Sequence, residues 1–586
     1  MQPTRESIAR MVGRLWSHVG PRRRQQFAFL MALTILASLT EVLSIGAVLP
    51  FLAALATPEK VFASRHARPL IDMLGLTAPA QVVLPLTVLF CAAGLLAGAT
   101  RILQLRLSLR LSFGVGADIS NEVYRRTLHQ PYSVHIARNS SEIINGISIK
   151  TNEVIFYIVM PGMVLISAAF MTVAIVGALS TFIPLAALVA FAMFGTFYGV
   201  LIKNLRRRLK SNSERIARES TNGIRYLQEG LGGIRDILID GTQDTFCATF
   251  RASDATLRDA QSNNQFIAQS PRFVMESAGM VLIAVVAYGL SRGSAGVANT
   301  IPMLAALALG LQRLLPALQQ GYQAWSTIHG AQDSLHDALD LLDQPMPARD
   351  EARVPPMAFS REISIDRVSF RYAPSAPWVL EDVRIAIPKG ARIGFIGTTG
   401  SGKSTLLDIV MGLLHPSAGE LRVDGVAITA ANVAAWRLHI AHVPQSIFLT
   451  DASVRENIAF GVPVDRIDDA AVRMAAAAAQ IGVAIDSWKN GYDTIVGERG
   501  VQLSGGQRQR IGIARALYKK ADVIVFDEAT SALDSATEED VMKSIESLSP
   551  EITILIIAHR LSTLRNCSKV IELQKPGATA ARIASV

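Results

Sequence analysis

Long apolar runs separated by polar stretches occupy the first half of the chain. Each run is close to or above the roughly 18 residues that a helix needs to cross a bilayer, and each holds at most one charged residue. Six such runs in succession favour membrane spans over buried helices of a large soluble core. The pattern predicts six transmembrane helices, at residues 27–53, 82–100, 154–179, 183–202, 273–290 and 301–318.

Basic residues around these runs predict their orientation. Arg22, Arg23 and Arg24 precede the first run, and a lysine with three arginines follows the fourth, within 203–208. Because cytoplasmic loops carry an excess of lysine and arginine, we expect both termini and the C-terminal half of the chain to lie in the cytoplasm. The first run is too long for the core of a cleavable signal peptide, so it is predicted to be the first span.

Two long polar connections separate some of the spans, at about 111–150 and 204–268. Both lack the proline-rich composition of disordered segments and are predicted to be helical. Spans two to five are therefore expected to continue beyond the membrane as helices, with a reversal of the chain near 232–250. The membrane domain is predicted to occupy residues 1–342.

The pattern changes after a proline-containing linker, which is predicted at 343–362. From Ile363 onward, apolar and polar residues alternate as they do in a strand. The continuous apolar runs 523–526 and 552–557 are typical of buried parallel strands. We predict a soluble α/β domain at 363–575 and a short tail at 576–586.

The overall composition, 50% hydrophobic and 18% charged, averages over these two unlike halves. The formal net charge is +9. Much of the basic excess lies where it would face anionic lipid headgroups, so the charge needs no nucleic acid to explain it. We expect a bilayer as partner and no nucleic acid.

The sequence Gly397 to Ser404 matches the phosphate-loop pattern and lies between a predicted strand and a predicted helix. Its glycines let backbone N–H groups turn toward phosphate oxygens, and the helix dipole adds partial positive charge. Lys403 is expected to reach the β- and γ-phosphates, and the Ser404 hydroxyl to coordinate Mg²⁺. The expected ATP contacts in this loop are Gly397, Thr398, Thr399, Gly400, Ser401, Gly402, Lys403, Ser404 and Thr405.

Two neighbouring carboxylates, Asp527 and Glu528, follow an apolar strand. A carboxylate at a strand end is suited to holding Mg²⁺, directly or through water. The second carboxylate is then placed to take a proton from an attacking water. We predict Asp527 as a metal ligand and Glu528 as the catalytic base, with ATP and Mg²⁺ as cofactors.

The second domain closely resembles the ATP-binding cassette family. The resemblance rests on the signature Leu503 to Gln507, on the phosphate loop, and on the run from Ala529 to Asp534 that follows the two carboxylates. It implies that Tyr372 stacks on adenine, that Gln445 contacts Mg²⁺ and senses the membrane domain, and that His559 lies at the γ-phosphate. It also implies ATP contacts from the signature residues Ser504, Gly505, Gly506 and Gln507.

In that family the signature caps the ATP held by a second copy of the domain. This chain has one phosphate loop and one signature. No motif is degenerate, so two copies would build two complete sites. The expected partner is a second copy of the chain, as a homodimer.

The order of six spans followed by a cassette resembles the exporters of this family. The membrane half most resembles bacterial flippases of lipid-linked oligosaccharides, through the runs 40–51, 271–276 and 312–316. This resemblance implies a fold of six membrane helices with long cytoplasmic extensions, followed by an α/β P-loop ATPase domain. It also implies a multi-pass protein of the bacterial cytoplasmic (inner) membrane, with a lipid-linked or amphipathic substrate.

Three arginines lie in or at the edges of predicted spans two, five and six: Arg101, Arg272 and Arg313. With the predicted orientation all three fall in the inner half of the membrane, and Arg313 lies about 18 Å along its span at about 1.5 Å per residue. A cationic cluster at this depth would receive an anionic lipid headgroup such as a pyrophosphate. Arg101 and Arg272 could instead snorkel to the interface, and Glu276 could neutralise Arg272.

Glu41, in the first span, is predicted to be an interhelical hydrogen-bond partner rather than a proton carrier.

Three functions stay open on the sequence alone. They are an ATP-driven flippase of an anionic lipid-linked glycan, an exporter of another amphipath (a drug, a peptide or a lipid A-like lipid), and a non-transporting membrane ATPase that regulates or assembles a partner.

Overall fold

The computed structural model describes residues 6–574 and 582–584, apart from 65–67, 183, 292–296, 347–356, 529–535, 537, 540, 542, 544–549, 558–563 and 565–566. The chain divides into two compact units. The first comprises residues 1–130 and 138–347, and the second comprises 131–137 and 348–586.

The first unit is helical in its described part, and most of each predicted apolar run lies on one of six helices. These helices are α2 (Pro21–Ala56), α5 (Val83–Leu128), α9 (Met160–Phe182), α10 (Pro184–Gly232), α13 (Pro271–Ser291) and α14 (Val297–Gly330). The shorter helices of this half of the chain are α1 (Ile8–His18), α3 (Pro58–Phe62), α4 (Arg68–Leu74), α6 (Tyr132–Ala137), α7 (Ser140–Asn145), α8 (Thr151–Val154), α11 (Ile234–Asp240), α12 (Gln243–Gln269) and α15 (Gln332–Leu342).

Four helical segments of the described residues are long and apolar enough to cross a membrane: Pro21–Ala56, Pro79–Leu128, Ser140–Ala178 and Gln243–Tyr288. The first two contain predicted spans one and two, and the other two contain spans three and five except for their last one or two residues. The fourth and sixth predicted spans lie on α10 and α14, and in both of them some side chains fall outside the described residues. The prediction of a helical membrane domain is confirmed.

Helices α10 and α12 pack side by side as a long hairpin, and the chain reverses through α11. Gly241 ends α11 with a left-handed φ of 65°, a conformation that glycine adopts without strain. Asn212 donates to Asn264 at 2.8 Å, and Ser253 donates to Glu219 at 2.9 Å, so polar contacts hold the two helices in register. The reversal falls where the sequence predicted it.

The N-terminal helix α1 is tied to α15, the last helix of the first unit. Its apolar face buries Met11 and Leu15, while Arg14 and His18 bind Asp343 directly after α15, at 3.0 and 2.7 Å. Two π-helical turns, Gly146–Lys150 and Ile155–Val159, interrupt the helical segment that leads into α9. Such turns displace the following side chains around the helix axis, an effect that hydrophobic periodicity does not predict.

The second unit contains two sheets. The antiparallel sheet has the order β2–β1–β4–β5, and the other has the order β10–β9–β3–β8–β7–β6, with β9, β3, β8, β7 and β6 parallel. The strands are β1 (Glu362–Phe370), β2 (Leu380–Pro388), β3 (Arg392–Ile396), β4 (Ala418–Val423), β5 (Val426–Ala427), β6 (Ile440–Val443), β7 (Val523–Asp527), β8 (Thr553–Ile557), β9 (Lys569–Glu572) and β10 (Arg582–Ala584). The helices are α16 (Lys403–Val410), α17 (Val433–Leu438), α18 (Val454–Ile458), α19 (Asp469–Ala478), α20 (Gly482–Asp486) and α21 (Gly505–Tyr518).

The core between the two sheets positions helix α16. Leu406, Leu407 and Val410 of this helix are buried against strands of both sheets. Trp436 is fully buried, and its indole N–H donates to the Val410 carbonyl at 2.8 Å. The start of α16 is therefore held at the carboxyl end of β3, the usual ligand edge of a parallel sheet.

Candidate functional site

The phosphate loop joins β3 to α16 and depends on glycine at three positions. Gly397, Gly400 and Gly402 have φ values of 147°, 80° and 89°, which disfavour residues with a side chain. A Cβ atom on Gly397 would lie 2.3 Å from the Leu573 carbonyl oxygen. The loop therefore keeps its backbone curved around a space in front of the N-terminus of α16, where an anion is favoured.

Two polar side chains border this loop. The Lys403 ammonium donates to the carbonyls of Gly397 and Thr398 at 2.9 and 3.2 Å, so it lies against the loop. The Tyr372 and Thr405 hydroxyls share a hydrogen bond of 3.0 Å. The Tyr372 ring is 54% exposed, which leaves a face open to a flat ligand beside the loop.

The predicted metal-binding and catalytic side chains lie together at the carboxyl ends of the strands. The Ser404 hydroxyl lies 3.5 Å from an Asp527 carboxylate oxygen, although the two residues are far apart in sequence. Gln445 follows β6 and donates from Nε2 to Glu528 Oε2 at 2.7 Å. Glu528 has a left-handed φ of 49°, and its N–H donates to the Ile557 carbonyl at 3.1 Å. The parallel order of β6, β7, β8 and β3 brings these residues to one edge.

Asp408, on α16, is an additional acidic residue of this site that the sequence analysis missed. Burial and the charge of Asp527 raise the pKa of Asp408 to about 6. Burial also raises the pKa of Asp527, and the neighbouring Glu528 adds to the increase, while the Ser404 hydroxyl opposes it. The edge of the sheet therefore concentrates negative charge, which a divalent cation would neutralise. The position of Asp408, one helical turn after Ser404, was the signal in the sequence.

We expect Asp408→Asn to raise the thermal unfolding midpoint of the nucleotide- and metal-free protein at pH 8. A carboxyl whose pKa is raised on folding binds its proton more readily in the folded state, so the destabilisation is present above pH 6. It is lost as the pH falls through about 6 toward the unfolded value near 4. Thermal melts of wild type and variant between pH 8 and 5 measure the difference.

Asp424 supplies a matched control in the same unit. Burial alone would raise the pKa of Asp424, but hydrogen bonds from the backbone N–H groups of Ser360, Glu362 and Arg361 lower it to about 2. Its stabilisation is present above the unfolded pKa and is lost only as the pH falls toward 2, so Asp424→Asn should destabilise the protein equally at pH 8 and pH 5. A stability gain from Asp408→Asn that did not change across this range would contradict the assigned electrostatics.

The signature residues form the N-terminus of helix α21. Ser504 is the N-cap, and its hydroxyl accepts from the Gln507 N–H at 3.2 Å, while Gln507 Oε1 accepts from the Ser504 N–H at 2.9 Å. This reciprocal capping box leaves the backbone N–H groups of Gly505 and Gly506 at a positive helix end. The signature therefore presents a second anion-favouring helix terminus in the same unit. His559 and the run 529–534 lie outside the described residues.

In the first unit, two of the three predicted substrate arginines meet around one carboxylate. Glu41 on α2 is almost fully buried, and its Oε1 lies 2.9 Å from Arg313 Nη1 of α14, without full hydrogen-bond geometry. Its Oε2 lies 3.8 Å from Arg101 Nη1 of α5. Glu41 thus makes an interhelical contact, but as an ion pair rather than the hydrogen bond that the sequence predicted. The three residues line a small cavity of about 90 Å³, together with Gln312 and Gln320.

The third arginine, Arg272, is not part of this group. It pairs with Glu276, four residues on along α13, with an N–O distance of 2.7 Å. This is the neutralisation that the sequence offered as an alternative. Arg272 lines a larger neighbouring cavity, which shares Gln312, Pro316 and Gln320 with the first.

A helical membrane domain followed by a P-loop ATPase with the cassette signature defines an ABC-type half-exporter. Residues 27–311 match the family described as "ABC transporter transmembrane region", and residues 380–531 match the family described as "ABC transporter". The chain belongs to the ABC transporter family. It binds ATP and is a multi-pass membrane ATPase that couples hydrolysis to transport.

Several relatives share most of the chain. A protein of Cupriavidus metallidurans named ATP-dependent lipid A-core flippase is 30% identical over 479 residues, which are 80% of this chain and 78% of the relative. One of the same name from Methylococcus capsulatus is 28% identical over 94% of this chain and 89% of its own length. The solved structure of a bacterial Atm1-family ABC exporter with ATP bound has a TM-score of 0.76 at 23% identity, covering 94% of this chain and 93% of its own, and supports the fold.

Proposed function

We propose that this protein is a homodimeric flippase, which uses ATP to move an anionic lipid-linked oligosaccharide or a related glycolipid across the cytoplasmic membrane. The observation that carries this proposal is the convergence of Arg101 and Arg313 on the buried Glu41. The relatives named ATP-dependent lipid A-core flippase support a lipid-related substrate. Both termini and the ATPase domain lie in the cytoplasm in this proposal, as the basic flanks predict.

In this proposal, backbone N–H groups and one lysine bind the phosphates of ATP, and one carboxylate acts as the general base for the attacking water. The phosphate loop and Lys403 hold the phosphates, and Tyr372 stacks on adenine. Mg²⁺ is held by Ser404, Asp527 and Gln445 together with phosphate oxygens and water, the ligand set that Mg²⁺ prefers. Glu528 accepts a proton from the attacking water. The hydrogen bond that Gln445 donates orients the Glu528 carboxylate. His559 contacts the γ-phosphate.

The proposed dimer follows from the single signature in each chain. The N-terminus of α21 would contact the γ-phosphate of ATP held by the partner subunit, since a helix N-terminus stabilises phosphate charge. Two chains related by a two-fold axis then form two identical composite sites. Each site takes its phosphate loop from one chain and its signature from the other.

We expect mixtures of Lys403→Ala and Ser504→Ala subunits to hydrolyse ATP although each variant alone does not. A mixed dimer contains one site with both substitutions and one site with neither. Purified mixed dimers should reach at most about half of the wild-type rate, since each has one intact site of a symmetric pair. The measurement is ATPase activity after co-expression with two different affinity tags and tandem purification.

The control for this experiment pairs Lys403→Ala with the double variant Lys403→Ala/Ser504→Ala, a combination that contains no intact site. Ser504→Ala also removes an N-cap worth about 1 kcal/mol, so its thermal midpoint is measured alongside. If tandem-purified mixed dimers were no more active than this control, the homodimer with shared sites would be wrong.

The proposed substrate is inferred from the charges of Glu41, Arg101 and Arg313, which we call the Glu41 group. Each guanidinium carries five N–H donors, so one ion pair leaves most of them available to phosphate oxygens. Arg101 and Arg313 remain about half exposed, whereas Glu41 is buried. With two arginines and one glutamate, the group has a surplus of positive charge. The negative charge of a bound phosphate group would neutralise this surplus.

Transport by reconstituted protein tests this proposal and separates the alternatives. ATP should drive a fluorescent lipid-linked oligosaccharide across a liposome membrane, and the same lipid should stimulate ATP hydrolysis. Stimulation only by amphipaths without phosphate would support the general exporter. Hydrolysis that no lipid stimulates would contradict a lipid substrate.

A further inference from the structure

We infer that the larger of the two adjoining cavities is a binding subsite for the sugar residues next to the substrate phosphate. This inference rests on the proposed function and deepens it. The cavity measures about 610 Å³ and lies between α10, the junction of α12 and α13, and α14. It directly adjoins the small cavity lined by Glu41, Arg101 and Arg313, which we call the Glu41 cavity. Gln312, Pro316 and Gln320 line both cavities.

The wall contributed by α14 carries a row of amide side chains. We call Gln312, Gln319, Gln320 and Gln323 the amide stripe. At 3.6 residues per turn these positions fall on one face of the helix, and at about 1.5 Å per residue the stripe is about 16 Å long. Gln269 faces it from the end of α12. An amide both donates and accepts hydrogen bonds, which matches the hydroxyl groups of a sugar.

Several buried polar atoms along this wall have no hydrogen-bond partner in the described part of the chain. They are the hydroxyls of Tyr198 and Tyr322 and the Nε2 atom of Gln319. The two tyrosine rings lie 5.1 Å apart and are largely buried. A buried polar group without a partner costs stability, so this part of the protein holds unmet hydrogen-bonding capacity directly behind the surface that a hydroxylated ligand would contact.

The charge of the cavity favours a neutral ligand. Arg272 and Glu276 both line it, and they neutralise each other at 2.7 Å. The adjoining Glu41 cavity holds two arginines and one glutamate and favours an anion. A neutral subsite that offers both amides and apolar surface, such as Phe273 and Leu315, fits a sugar attached to a phosphate, because a sugar has hydroxyl groups and apolar ring faces.

The order of the two subsites along α14 agrees with a substrate in the inner leaflet. Arg313 precedes the distal part of the amide stripe, which runs from Gln319 to Gln323. Since α14 runs toward the cytoplasm in the proposed orientation, the sugar subsite lies on the cytoplasmic side of the phosphate subsite. A lipid-linked glycan in the inner leaflet has the same order, with its lipid in the membrane and its sugars toward the cytoplasm.

The test compares two probes, polyprenyl pyrophosphate with and without a short oligosaccharide, bound to wild-type protein in nanodiscs. We expect wild type to bind the glycosylated probe about tenfold more tightly than the bare one, since the amide stripe adds hydrogen bonds to the sugar hydroxyls. Gln319→Leu/Gln323→Leu should lose this preference and bind both probes alike.

Two further variants make the outcome specific. Gln243→Leu, an exposed glutamine at the start of α12, should keep the full preference, and Glu41→Gln/Arg313→Gln should weaken the binding of both probes. Equal binding of both probes by wild type, or an undiminished preference in Gln319→Leu/Gln323→Leu, would overturn the sugar subsite and leave the proposed flippase intact. Binding of neither probe by wild type would overturn the proposed function itself.

Discussion

Glu528→Gln is expected to lower the rate of ATP hydrolysis by about 10²–10⁴-fold, the usual contribution of a general base, while ATP still binds. The substitution replaces one carboxylate oxygen by an amide and preserves the shape of the side chain. The remaining carbonyl oxygen can still accept the hydrogen bond that Gln445 Nε2 donates at 2.7 Å. The lost function is therefore proton acceptance, and the phosphate loop and Lys403 are unaffected.

Hydrolysis and nucleotide binding are measured on the same preparation. Lys403→Ala is the matched control, because it removes the cation beside the phosphates and should lose ATP binding as well as hydrolysis. Glu528→Gln should instead retain ATP and accumulate a closed, ATP-bound dimer. Loss of ATP binding in Glu528→Gln would assign Glu528 to binding, and hydrolysis within about tenfold of wild type would exclude it as the base.

The second large effect is expected from neutralising the Glu41 group while leaving no buried charge unpaired. Arg313→Ala alone would leave Glu41 with only the more distant Arg101 at 3.8 Å, and an unpaired buried carboxylate destabilises a protein for reasons unrelated to substrate. The double variant Glu41→Gln/Arg313→Gln removes both charges together. Flipping of a lipid-linked oligosaccharide should fall by about 10- to 100-fold, since a hydrogen bond to a charged group contributes about 1.5–3 kcal/mol.

Three companions to this variant separate charge from geometry. Arg313→Lys should restore part of the flipping, because lysine supplies the charge without the planar fork of donors. Glu41→Gln alone keeps both arginines and should still flip. Arg110→Gln removes an exposed arginine farther along α5 and should behave as wild type.

The sequence predicts those parts of the ATP site whose residues are adjacent in the chain. The phosphate loop and the signature are contiguous runs, so the order of the amino acids is enough to name their residues. The edge shared by Ser404 and Asp527 also follows, because the carboxyl ends of parallel strands meet at one edge of a sheet. The prediction of a helical membrane domain followed by a P-loop ATPase is confirmed, and the roles of the individual site residues stay predictions.

The grouping of the membrane arginines could not be predicted in the same way. Depth along a span can be counted from the sequence, and it placed Arg101, Arg272 and Arg313 at similar levels. The rotation of each helix depends on packing and on local irregularities such as the π-helical turns before α9. That rotation joins Arg101 and Arg313 through Glu41 and leaves Arg272 outside the group, paired with Glu276 on its own helix. Asp408 was missed for a related reason, because its position beside Asp527 arises only when α16 packs on the sheet.

The most direct test of the proposed flippase is ATP-driven movement of a fluorescent lipid-linked oligosaccharide in liposomes, with wild type and Glu41→Gln/Arg313→Gln compared at matched rates of ATP hydrolysis. We predict that wild type moves the lipid and that the double variant hydrolyses ATP without moving it. Equal movement by both proteins, or movement by neither, would contradict the account.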